Sequence, residues 1–158
     1  MHKMTLLAAI VGALLSSTAS AQEFQPLSEY IERPPEDQVS SYIFERCAGL
    51  YQGILAYNPT RMTDEVSERF EQSIAIVALV AVKLREKASI TETPPDVLTN
   101  STANDIVRIA EIYLDRIKNN YATTGQAFAD DALITGDLDT CRQITEIFRG
   151  IIPPDALK

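Results

Sequence analysis

The sequence predicts an all-α fold, a four-helix bundle held by one disulfide between Cys47 and Cys141. Three observations carry that expectation. Proline pairs at Pro34-Pro35, Pro94-Pro95 and Pro153-Pro154, with Asn58-Pro59, cut the chain into blocks. Proline inside a helix forfeits a hydrogen bond, so these pairs read as element boundaries. Within each block the apolar residues return every three or four positions, and no segment sustains the strict alternation of a half-buried strand.

Residues 1–21 read as an export signal that is removed rather than as part of the fold. His2 and Lys3 give a positive start, Leu6 to Leu15 is apolar throughout, and Ala19-Ser20-Ala21 supplies the small residues of a cleavage site. The apolar run falls short of the roughly 20 residues a membrane-spanning helix needs. No cysteine follows it to accept a lipid anchor. A protein that is soluble outside the cytosol, periplasmic or secreted, is therefore expected. Residues 22–35 would form an N-terminal arm and 36–158 one helical domain.

The first helix is expected from Glu36 to Tyr57, with Val39, Ile43, Cys47, Leu50 and Ile54 in one stripe. The second runs from Asp64 to Ala88 behind Thr63 as N-cap, with Asp64 and Glu65 where the helix dipole favours acids. Val66, Phe70, Ile74, Val77, Ala81 and Leu84 mark its inner side. The third runs from about Thr102 to Tyr121 on Ile106, Ile109, Ala110, Tyr113 and Ile117, and stops before Gly125. A short helical turn over Gln126 to Leu133 precedes the last helix, Leu138 to Arg149, which Asp137 starts and Gly150 ends. The run Ile74 to Val82 is apolar on every side, which predicts that its helix is the central one.

Cys47 and Cys141 fall on the apolar stripes of the first and last helices. An even pair without CxxC spacing, in an oxidising compartment, reads as a structural bridge. Closing so long a loop restricts the unfolded chain by an amount worth about 4.5 kcal/mol.

The 158 residues are 46% hydrophobic and carry a formal charge of −8. That excludes a basic face for nucleic acid or anionic lipid and points instead to a basic protein partner. Without its first 21 residues the chain holds 13 basic against 22 acidic residues and no histidine. Histidine-dependent nucleophiles, histidine-ligated metals and imidazole pH sensing are thereby excluded. No catalytic residue, metal ligand or cofactor is assigned.

Gly49 and Gly53 stand out, because each mid-helix glycine costs about 1 kcal/mol relative to alanine. They lie nearly opposite Cys47, alongside Tyr42, Glu45 and Ala56. The five residues form a candidate binding groove, filled either by close packing within the chain, with Phe24 to Ile31 as the expected occupant, or by an outside partner. Asp130, Asp131, Asp137 and Asp139 gather near the last helix without the spacing of a calcium loop, and about three of the four read as solvated helix caps. The stretch Cys47-Ala48-Gly49-Leu50-Tyr51-Gln52-Gly53 resembles a Cys-Gly-aromatic-Gly pattern of small exported immunity proteins from bacterial toxin systems. It spans seven residues and lacks the additional cysteine of that pattern.

Three functions are compatible with these residues. The first is a non-enzymatic exported module acting by macromolecular binding, as an inhibitor, immunity protein or chaperone. The second is a carrier of a small apolar ligand between helices, with a cavity near Ile74 to Val82. The third is a small cell-wall glycosidase using paired carboxylates, which needs two facing acids in a cleft.

Overall fold

The computed structural model describes residues 24–34, 40–57, 62–90 and 92–157; the expected signal segment lies outside them. Among the described residues the chain forms α1 (Leu27–Glu32), α2 (Tyr42–Tyr57), α3 (Asp64–Ala88), α4 (Pro95–Thr124) and α5 (Ala132–Arg149), closed by a 3₁₀ turn at Pro154–Leu157. No strand occurs among them, and none of the helices is long and apolar enough to cross a membrane.

Local chemistry sets the helix ends. The Thr63 hydroxyl accepts from the Val66 N–H at 3.4 Å, and α3 carries Asp64 and Glu65 in its first turn and Arg85 and Lys87 in its last. Each charge lies where it complements the helix dipole. The helix α4 begins at Pro95 rather than near Thr102. Proline is at home in a first turn, where its missing N–H would have had no partner, so the pair opens this helix rather than holding it off. Gly125 ends α4 in the left-handed conformation, φ 75°, with its N–H on the Tyr121 carbonyl at 2.8 Å. The helix α5 starts at Ala132, where the Asp131 carboxylate caps the Leu133 and Ile134 N–H groups at 3.1 and 3.0 Å. The expected start at Asp137 and the separate turn at Gln126 to Leu133 are thus corrected: one longer helix covers 132–149, and Asp137 lies within it.

The central helix is α2, not α3. It packs against α3, α4 and α5, and nine of its residues from Glu45 to Ile54 are buried. On α3 only Ser73, Ile76, Val77 and Ala81 are buried, so the apolar run Ile74 to Val82 keeps a partly exposed side. Glycine spacing decides this. A Cβ on Gly49 would stand 2.5 Å from Ile109 Cγ2, and one on Gly53 would stand 2.9 Å from the Ala110 carbonyl oxygen. The two glycines let α4 close on α2 at backbone distance, an approach that α3 has no glycine to match.

Opposite outcomes are expected for two kinds of glycine. Gly49→Ala should destabilise by about 1–3 kcal/mol despite its better helix propensity, because the added methyl overpacks against Ile109. At Gly136 of α5 an added Cβ meets nothing within 4 Å. Gly136→Ala should therefore stabilise, by up to about 1 kcal/mol. Urea midpoints of the two variants check both signs.

Cys47 and Cys141 form the expected bridge, Cα to Cα 5.2 Å, tying α2 to α5 across 94 residues. Both cysteines are wholly buried. Leu27 and Tyr30 of α1 belong to the same core, which places the second half of the expected N-terminal arm against α5.

Candidate functional site

The groove expected around Gly49 and Gly53 is filled from inside the molecule: α4 closes over the two glycines, and of the expected segment Phe24 to Ile31 it is Tyr30 that reaches the Tyr42 end. Tyr42 meets the Tyr30 ring at 4.8 Å. Glu45 is buried and its Oε1 accepts from Arg85 Nε at 2.6 Å. Arg85 also reaches Asp105 at 2.5 Å and Ser101 at 3.1 Å, so one guanidinium knits α2, α3 and α4. Ala56 alone of the five is exposed. This face offers an outside partner no open groove.

A second polar centre lies deeper. Arg46 and Asp137, both 0% exposed, pair at 2.5 Å. Arg46 Nε donates to the Tyr113 hydroxyl at 2.9 Å, that hydroxyl donates to Asp137 at 2.5 Å, and the Leu27 N–H donates to the other Asp137 oxygen at 2.6 Å. Phe24 lies 3.9 Å from the Arg46 guanidinium carbon. Burial pushes the Tyr113 phenol well above its ordinary range, with the Arg46 charge pulling back and Asp137 adding to the rise. Burial works against the Arg46 charge, but Tyr113 and Asp137 outweigh it and hold the proton on. Each member is partnered, so the centre is structural: it locks α1, α2, α4 and α5 together. Asp137 is therefore no solvated cap, whereas Asp131 is a cap and Asp139 is exposed.

Three acids are buried among the described residues, and each is held by partners within the chain. Asp131 gives one oxygen to the start of α5 and the other to Arg116 at 2.6 Å. Glu45 and Asp137 are held by Arg85 and by Arg46, respectively. The remaining aspartates and glutamates with a described burial are not buried. No group of three His, Cys, Asp or Glu side chains converges among the described residues.

A more polar depression of about 580 Å³ lies along α4 beside Asp131, and a groove of about 450 Å³ lies open between α3 and α5. Tyr51 of α2 forms its floor, Val66 and Phe70 one wall, and Leu138 the other. Arg69, Arg142 and Arg149 line it with Asp139 and Glu146. The Thr145 hydroxyl donates to the Cys141 carbonyl at 2.7 Å, so its contact with the Tyr51 hydroxyl at 3.0 Å has tyrosine as donor. Burial raises the Tyr51 phenol above its usual range, while Thr145 and the Arg149 charge oppose the rise. The Phe70 ring meets Tyr51 edge-on at 5.6 Å. Arg149 donates to the Ser73 hydroxyl at 3.0 Å, and Ser73 in turn donates to the Arg69 carbonyl at 2.7 Å, which fixes one wall against the other.

Sequence reasoning missed this groove. It passes through the inner stripe of α3, where Val66 and Phe70 were expected to be covered, and its other side is a face of α5 outside the expected stripe of Cys141, Ile144 and Phe148. Comparison with models of known families, with curated proteins and with solved structures finds no match to this chain.

Proposed function

We propose that this is a non-enzymatic exported protein that works by binding, with the α3–α5 groove as its site and a small apolar ligand as its cargo. One contrast carries the reading. The buried ionisable side chains of the polar centres are held by partners within the chain, whereas the groove keeps an apolar floor with no internal occupant. Its volume lies in the range of about 300–1,000 Å³ that suits small-molecule sites. The carrier expected from the sequence called for a cavity near Ile74 to Val82; the groove lies outside that run, with Val66, Arg69, Phe70 and Ser73 as its α3 residues. Export is supported by the signal pattern in residues 1–21 and by a disulfide, a bond that persists in oxidising compartments.

A second reading keeps a basic macromolecular partner. It is favoured by Asp64, Glu65, Glu68 and Glu71, which are exposed along α3 and enter no ion pair among the described residues. Association of that kind weakens steeply with salt, whereas apolar cargo in the groove does not.

Decan-1-ol is a suitable neutral probe for the groove. Titrated into the whole protein, it is expected to shift the amide NMR signals of Phe70, Ser73, Leu138 and Thr145 in a saturable way. Leu138→Glu should weaken it at least tenfold. Absence of binding, or shifts confined to other faces, would overturn the proposal.

A further inference from the structure

The charge of the groove runs against that of the chain. Acids outnumber bases 22 to 14 in the sequence, yet three arginines and two acids line this apolar depression. Neither acid neutralises its neighbour firmly. Arg142 and Asp139 pair at 2.7 Å on one exposed helical turn, with both side chains more than half exposed. Arg149 Nε stands 3.7 Å from Glu146 Oε1 and has no hydrogen-bond acceptor among the described residues. Exposed pairs of this sort contribute little, so an incoming anion displaces them at small loss. Arg69 is exposed and enters no ion pair among the described residues. Ser73 holds Arg149 in place over the groove.

We propose that the groove selects a small amphiphile bearing one carboxylate, its apolar body on Tyr51, Phe70 and Leu138 and its acid among Arg69, Arg142 and Arg149. This rests on the small-ligand reading above and adds the head group to it. A guanidinium offers paired N–H donors that match the two oxygens of a carboxylate. Asp139 and Glu146 remain beside the arginines and repel further negative charge, which limits the complement to one. The apolar floor requires a tail, because a bare anion would leave Tyr51 and Phe70 uncovered.

The test uses the full chain with its disulfide intact and three probes: decanoate, decan-1-ol and acetate, each below its aggregation limit. Decanoate is expected to bind at least tenfold more tightly than decan-1-ol, with acetate showing no saturation, and both tailed probes should shift the amides of the groove. In an Arg69→Gln/Arg142→Gln variant the advantage of decanoate over the alcohol should vanish. Both side chains are exposed, so an unchanged thermal midpoint confirms that the fold is intact. Equal affinity for acid and alcohol in the unaltered protein, or an advantage that survives the double substitution, overturns the carboxylate proposal and leaves the apolar groove standing. Failure of both tailed probes overturns the groove itself.

Discussion

Asp137→Ala is expected to destabilise the protein by about 3–5 kcal/mol, the range found when one side of a buried ion pair is removed. The loss goes beyond one contact. Three donors converge on this carboxylate, from Arg46, Tyr113 and the Leu27 backbone. Without it the Arg46 charge stays buried in the core, with Phe24 and the Tyr113 hydroxyl as its remaining company. The urea midpoint measures the effect. Removing both charges, as Arg46→Met with Asp137→Leu, should recover much of the stability, because no unpaired ion is left behind. A double variant as weak as the single one would show that shape, not charge, makes this centre matter.

Cys47→Ser should lower the thermal midpoint by roughly 10 °C or more, as the closed loop of 94 residues is released. The unaltered protein treated with a reductant should fall to the same midpoint, given time for the buried sulfurs to become accessible. The variant itself should not respond to reductant. If oxidised and reduced protein melt together, the tether adds nothing to stability.

The fold was legible where the signal is local or periodic. Thr63 and Gly125 mark ends of α3 and α4 by capping chemistry alone, and the apolar stripes placed both cysteines inward, which made the bridge readable. Elsewhere a residue's role depends on a distant partner. Asp137 has the look of a cap, being an acid before an apolar run. It nevertheless lies four positions before Cys141, on the inward side of α5, and that spacing was a usable sign of burial. Pro94-Pro95 reads equally as a stop or a start, and only the helix that follows decides. The glycine pair announced a close approach, but not the element that makes it. The α3–α5 groove had no sequence signal of its own, because it exists only through the separation of two helices that are each locally ordinary.

The bond from the Leu27 N–H to Asp137 spans 110 positions, and the sulfur bridge spans 94. A polypeptide grows from its amino end, so both early residues wait for partners that follow much later in the chain. An incomplete copy that stops short of Asp137 has a stranded guanidinium and a lone thiol, neither of which can be hidden. Closure of the core thus waits on the arrival of Asp137 and Cys141, and the early half of the fold cannot seal itself ahead of them.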